Sequence, residues 1–169
     1  MFHEIKPEDL NDSAIRMIGL DGMLVTAGVK SSFNTMTAAW GGLGFLWHKP
    51  VAFIFIRPQR YTYRFTELNE FFSLCFFTDE YSNVLDLCGS CSGRDTDKIK
   101  ETGLKVLEYK DKAIYYEQAR LALICRKLYY HDVEPGKFID ATIDKVYPLK
   151  DYHRMYIGEI EKVFSKASQ

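Results

Sequence analysis

Four stretches of the chain carry side chains whose types and spacing could do chemistry. Arg57-Pro58-Gln59-Arg60-Tyr61-Thr62 places two guanidinium groups and a hydroxyl just after an apolar run. Guanidinium offers paired N–H donors and hydroxyls add more, a set suited to phosphate oxygens. The same residues also make an ordinary solvated turn with surface ion pairs. Ser90-Cys91-Ser92-Gly93-Arg94-Asp95-Thr96-Asp97-Lys98 sets serines, a glycine and two cations ahead of a helical stretch. It reads as an anion-binding loop or as a helix cap with a charged first turn. Asn34-Thr35-Met36-Thr37-Ala38-Ala39-Trp40-Gly41 joins small hydroxyl residues to two alanines. Such a strand lets its backbone approach a flat ligand and donate N–H groups to it, although a Thr-rich strand needs no ligand.

The fourth stretch is Cys88-Gly89-Ser90-Cys91. One CxxC with no second pair and no neighbouring His falls short of the four ligands of structural zinc. A thioredoxin-like motif follows a strand and opens a helix, whereas here a helical stretch comes first. Reduced, non-catalytic thiols are the expectation. Cys75 and Cys125 lie in apolar runs and read as small core residues.

Other chemistries lack their usual signatures. Gly41-Gly42-Leu43-Gly44 lacks the third glycine of a dinucleotide fingerprint, and no Walker A or G-x-S-x-G sequence occurs. Asp95-Thr96-Asp97 starts like a calcium loop but lacks its glycine and closing glutamate. His3, His48, His131 and His153 are scattered, so no metal site is expected. Lys plus Arg number 22 against 23 Asp plus Glu, a net charge of −1 that argues against a nucleic-acid partner bound by bulk electrostatics. No apolar stretch reaches bilayer length and the first six residues have no signal-peptide architecture, so no membrane partner and a cytoplasmic location are expected. With 169 residues, 47% apolar and 27% charged, the chain reads as one globular domain. Its 15% aromatic content fits pleated, half-buried surfaces and also flat ligands.

The elements that must position these residues are mainly strands with a few helices. Strand patterns cover residues 23–29, 34–40, 51–56, 71–77, 113–117, 119–130 and 154–163; helical ones cover 61–69, 81–87 and 96–101. Residues 51–56 are continuously apolar and predict a strand buried on both faces. Pro7-Glu8-Asp9 marks a helix start, with one or two short helices reaching Ile18. Asp21-Gly22 supplies a turn and Ser31-Ser32 a loop, so the first two strands form an antiparallel pair. Asp95 or Thr96 caps the last helix. Residues 121–128 also fit a helical period, and the strand reading is preferred. A close-approach strand and two candidate phosphate sites in an aromatic-rich β protein suit a mononucleotide bearing a planar ring.

The ordered series from Asn34 to Gly44, Trp47-x-Lys49-Pro50-Val51-Ala52, Ile56-Arg57-Pro58-Gln59-Arg60-Tyr61-Thr62-Tyr63, Ser92-Gly93-Arg94-Asp95-x-Asp97-Lys98 and His153-Arg154-x-Tyr156-Ile157-Gly158-Glu159-Ile160 resembles the flavin reductase-like family, in its flavoredoxin-type branch. The resemblance implies a split β-barrel holding FMN noncovalently, as a homodimer with the flavin near the interface. It assigns Thr35, Met36, Thr37, Ala38, Ala39 and Trp40 to the isoalloxazine and ribityl chain, with Asn34 opening that segment. Arg57, Arg60, Tyr61 and Thr62 would gather around the phosphate, joined by Ser92 and Lys98. His153 would lie near the open flavin face, where its ordinary titration range suits nicotinamide docking or proton supply, an interface hydrogen bond being the alternative. The implied activity is hydride transfer from NADH or NADPH to flavin, with electrons passed to a downstream acceptor. An FMN electron carrier reduced by a redox protein partner, or a non-redox flavin-binding module, are the other readings.

Overall fold

The computed structural model describes residues 1–166. Its elements run β1 (Phe2–Ile5), β2 (Met23–Val29), β3 (Ser32–Ala38), β4 (Gly41–Leu46), β5 (Lys49–Ile56), α1 (Tyr61–Leu68), β6 (Phe71–Phe76), α2 (Ser82–Ser90), α3 (Lys98–Thr102), β7 (Val106–Tyr109), β8 (Ala113–Tyr116), β9 (Leu121–Asp132) and β10 (Arg154–Lys166). Short 3-10 and π turns fill parts of the connections. The architecture is mainly β with a few helices, as the patterning predicts.

Seven strands form an antiparallel sheet in the order β3-β2-β6-β9-β10-β5-β4, and β1 pairs with β10 off that path. The two outer strands, β3 and β4, are consecutive in the chain and joined by Ala39 and Trp40 alone. A linker of two residues reaches only a few ångströms, so the sheet must curl until its two edges are close. They come together without pairing, and the barrel stays open along that seam. β10 serves both ends: Arg154–Glu159 pair with β5, while Val163 to Lys166 pair with β1. Gly158 lies at a register shift in β10, and a Cβ there would stand 2.6 Å from the wholly buried Phe72 ring. Only glycine leaves room there for the Phe72 ring.

One core fills the barrel, with Val25, Ile54, Phe72, Leu74, Leu123 and Tyr156. A second lies on the other face of β2, β6 and β9, where Leu24, Cys75 and Ala122 meet Val84 and Cys88 of α2 and Ile114 and Tyr116 of β8. Strands covered on both faces are continuously apolar, and burying each large side chain stabilises the fold by roughly 1.5–3 kcal/mol.

Several expectations change. In β5, Val51, Ala52, Ile54 and Ile56 are buried, but Phe53 and Phe55 are only half-buried, because no second layer fully covers the face they share. β1, β4 and β7 were not expected; β4 is glycine-rich and carries no apolar alternation. Residues 121–128 are strand throughout, paired on both sides by β6 and β10. Ser32 opens β3 rather than lying in a loop, and α3 is capped by Asp97, which accepts from the Lys100 N–H at 3.1 Å, instead of by Asp95 or Thr96. No helix among the described residues is long and apolar enough to cross a membrane.

Candidate functional site

β3 is the spine of the site, and its alternation sorts the expected residues onto two faces. The Thr35 hydroxyl accepts from Thr26 Oγ1 at 2.9 Å and donates to the Val25 carbonyl, beside the buried Tyr116 hydroxyl. Thr37 Oγ1 donates to the Leu85 carbonyl of α2 at 2.5 Å. Both hydroxyls therefore hold the strand in place rather than wait for a ligand. Asn34, Met36 and Ala38 fall on the opposite face, at alternate positions. The outer edge of β3 has no strand partner among the described residues.

Where β3 leaves the sheet, Met36, Thr37, Ala38, Ala39, Trp40, Phe55, Arg57, Arg60 and His153 line a cleft of about 210 Å³. It is aromatic, with the two arginines at one side. The Trp40 and His153 rings lie 4.7 Å apart, and the Tyr147 hydroxyl is 2.8 Å from His153 Nδ1. His153 is only 8% exposed. Burial, with help from the Arg57 charge, pushes its pKa down to about 4. The ordinary histidine range is therefore corrected: near neutral pH this imidazole carries no charge. Burial also raises the Tyr147 phenol, which stays protonated, so a neutral hydrogen bond joins it to the uncharged imidazole.

Arg57 is held at the same cleft. Its guanidinium lies 2.8 Å from Asp151 Oδ2 and 5.1 Å above the Tyr147 ring centre. Gln59 donates to the same carboxylate oxygen. The Arg57 hydrogen bond holds the Asp151 carboxyl below its usual range. Asp151 Oδ1 is buried and lacks a partner among the described residues.

A second compartment of about 150 Å³ lies next along β3, sharing Met36 and Arg60 with the cleft. Asn34, Arg60, Tyr61, Thr62, Ser92, Arg94 and Lys98 line it. Three of these are cations, and no carboxylate is among the lining residues. Arg60 donates to the Gly89 carbonyl at 3.0 Å, and Lys98 to Cys88 O at 2.9 Å and Thr35 O at 2.8 Å. The carbonyl end of α2 is its negative end, so it holds both cations in place. Lys98 is 5% exposed, and two of its three N–H donors are engaged among the described residues. Desolvation lowers the pKa of both Lys98 and Arg60. Thr62 Oγ1 accepts from Asn34 Nδ2 at 2.7 Å, tying the first turn of α1 to β3. A Cβ on Gly93 would stand 1.9 Å from Asn34 Oδ1, so the backbone of this loop lies directly on the strand.

The structure thus brings Asn34, Arg60, Tyr61, Thr62, Ser92 and Lys98 together, and brings Met36 to Trp40 together with His153. It places Arg57 with the second group, engaged by Asp151. Sequence reasoning passed over Phe55, Tyr147 and Asp151. The last two lie between β9 and β10, where no periodicity marks them. All four cysteines are free, and burial raises the Cys88 thiol despite the neighbouring Lys98. Among the described residues no cluster of His, Cys, Asp or Glu could hold a metal ion. In chemical terms, one compartment anchors an anion while the next holds a flat ring against aromatic walls.

Comparison with known proteins bears on the same region. The family model described as flavin reductase like domain matches residues 20–168. Among solved structures, flavoredoxin from Methanosarcina acetivorans superposes with a TM-score of 0.68 at 22% identity, covering 97% of this chain and 76% of that one. An FMN-binding domain of a flavin reductases-like enzyme from Shewanella baltica gives 0.70 at 18% identity, covering 98% and 77%. A Shewanella frigidimarina protein with a split barrel domain gives 0.67 at 15%, covering 96% and 78%. These likenesses establish the split β-barrel fold that the open seam describes. No curated protein sequence is significantly similar to the chain.

Proposed function

This chain belongs to the flavin reductase like family, and from that premise we propose that it is an FMN-binding oxidoreductase that takes hydride from NADH or NADPH and passes electrons to a downstream acceptor. The observation that carries the reading is the cationic compartment, with three cations and no carboxylate among its lining residues, opening beside an aromatic cleft. The residues present fit a flavin mononucleotide. Arg60, Lys98 and Ser92 supply donors for its phosphate, and Gly93 keeps the loop low enough for backbone contact. Trp40 and Phe55 supply apolar surface for its ring.

FMN, when bound, supplies the redox chemistry, so this chain needs neither a nucleophile nor a strong base. Its own residues bind, orient and hold protons. The unpaired edge of β3 offers backbone N–H donors where negative charge would develop. His153 borders the cleft as a neutral imidazole tied to Tyr147, so it adds no positive charge there. Asp151 offsets the charge of Arg57 and fixes its position.

An anaerobic visible spectrum tests the proposal: FMN is added to the purified protein, then NADH, then NADPH. Rapid bleaching by either nucleotide is expected. A bound flavin that neither nucleotide reduces would move the assignment to an electron carrier served by a redox protein. Failure to bind FMN would defeat both.

A homodimer is also part of the reading. Phe45, Trp47 and Tyr129 are 73%, 52% and 44% exposed, and the Trp47 and Tyr129 rings lie 6.0 Å apart. Clustered exposed aromatics of this kind favour association. Sedimentation should give twice the chain mass, and Trp47→Glu should return the monomer. Free cysteines are in keeping with a cytoplasmic location.

A further inference from the structure

Cys88 and Cys91 have no part in the flavin reading, yet they lie on the helix end that holds the anion anchor. Cys88 is in the last turn of α2, wholly buried in the second core with Leu24, Phe77 and Tyr116. Cys91 caps the helix, its N–H donating to the Leu87 carbonyl at 3.0 Å. Its half-buried side chain lines the cationic compartment. Residues three apart at a helix end share a face, and their Cα atoms are about 5 Å apart, inside the roughly 4.4–6.8 Å that a disulfide spans. Burial raises the Cys88 pKa, Lys98 opposes the rise and the neighbouring Cys91 adds to it.

Closing a bond between them would move the backbone. A regular helix keeps such Cβ atoms about 5–6 Å apart, whereas a disulfide needs about 3.8 Å, so the helix end must draw in by about 1–2 Å. The carbonyls inside that ring are the ones that fix the anchor. Cys88 O accepts from Lys98 Nζ at 2.9 Å and from Arg60 at 3.5 Å, and Gly89 O accepts from Arg60 at 3.0 Å. A shift of about 1 Å carries such contacts past hydrogen-bonding distance. Lys98 and Arg60 then lose the positions in which they would meet a phosphate, and affinity that rests on preorganised donors falls with them.

The thiols also differ in access. An oxidant in solution meets half-buried Cys91 first, while Cys75, Cys88 and Cys125 are wholly buried. Hydrogen peroxide converts the Cys91 thiol to a sulfenic acid and releases water. The Cys88 thiol then attacks that sulfur and displaces its hydroxyl as a second water, leaving the disulfide. The two thiols lose two electrons between them, and one peroxide is reduced to two waters. Exchange with a small dithiol restores both thiols.

We propose that Cys88 and Cys91 form a reversible dithiol–disulfide site whose oxidation by peroxide loosens the anion anchor and releases FMN. The release rests on the flavin reading above; formation of the bond does not. Flavin-free protein is treated with hydrogen peroxide, its thiols are counted in denaturant, and the linked peptides are identified by mass spectrometry. The four free thiols should fall to two, with Cys88 joined to Cys91, and dithiothreitol should restore all four. FMN and riboflavin affinities are then measured by fluorescence in both states. Oxidation should weaken FMN about tenfold and leave riboflavin, which has no phosphate, unchanged. By linkage, saturating FMN should raise the midpoint potential of the pair by about 30 mV for that tenfold, and riboflavin should not move it. In Cys91→Ser, peroxide should leave FMN affinity where it stood before treatment.

FMN that binds neither state overturns the parent reading and the release with it. With FMN bound, four thiols surviving peroxide, a sulfinic acid at Cys91, or a bond to a second copy of the chain overturns this inference alone. So does a disulfide that leaves FMN affinity unchanged or weakens FMN and riboflavin equally, and so does a loss that persists in Cys91→Ser.

Discussion

The cationic compartment and the aromatic cleft are neighbours along β3, yet they treat charge in opposite ways. In the first, Arg60 and Lys98 are held by the carbonyls that end α2, and no acid among the lining residues cancels them. In the second, Arg60 is the wall shared with the first, Arg57 is matched by Asp151, and burial keeps His153 neutral. Fixed positive charge suits an anchor, because an anion regains there the favourable interactions it loses on leaving water. A neutral, aromatic surround suits a reacting ring, whose electron affinity would shift with every uncompensated charge nearby. One strand thus serves a binding task and a tuning task through the company each segment keeps.

Substitutions can break or sharpen that contrast. Lys98→Met should have the largest effect. It removes a charge-assisted contact of about 1.5–3 kcal/mol and leaves the Thr35 and Cys88 carbonyls without their donor. FMN affinity should fall on the order of 100-fold while riboflavin affinity changes little. Equal losses for both ligands would mean that Lys98 only supports the fold.

Next comes the pH response of the cleft. The folded pKa of His153, about 4, lies below the ordinary 6.5, so between these values the unfolded chain binds the extra proton. Its contribution is complete above pH 6.5 and is lost as the pH falls through 4. The window predicts a loss of about 2 kcal/mol between pH 7 and pH 5. Urea midpoints for the protein and for His153→Gln should diverge over that range, the variant being flatter. Parallel slopes would show that His153 is not held neutral.

Gly93→Val follows, because a Cβ cannot sit 1.9 Å from Asn34 Oδ1 and the loop must lift. Overpacking costs about 1–3 kcal/mol, and FMN affinity should drop about tenfold, as measured by fluorescence quenching. The smallest effect is expected of Asp151→Asn. If Arg57 belongs to the cleft, FMN affinity should change less than threefold. A tenfold gain would place the freed guanidinium on the phosphate and erase the distinction between the compartments.

Much of this site was legible in the sequence. Arg60, Tyr61 and Thr62 follow a strand and open a helix, and Ser92 to Lys98 precede another. Their chemistry was visible from residue type alone, because phosphate needs donors wherever the chain supplies them. The threonines were legible only as types. Thr35 and Thr37 looked like ligand donors, but strand alternation turned their hydroxyls to Thr26, Val25 and Leu85. Tyr147 and Asp151 left no signal, since an irregular connection has no period and their partners, His153 and Arg57, come from β10 and the end of β5.

The sequence by itself determined where the apolar strands run, the helix after Arg60 and the supply of cations, because local period and side-chain chemistry are properties of short segments. Only the tertiary structure decided which cations act together. Arg57 and Arg60 are three residues apart, yet Asp151 takes the first and the end of α2 takes the second. It also decided that His153 is neutral, since that follows from burial against Trp40 and Tyr147 rather than from being a histidine. Charge state and pairing depend on the solvent and neighbours that a fold assembles from distant segments, and no local pattern records them.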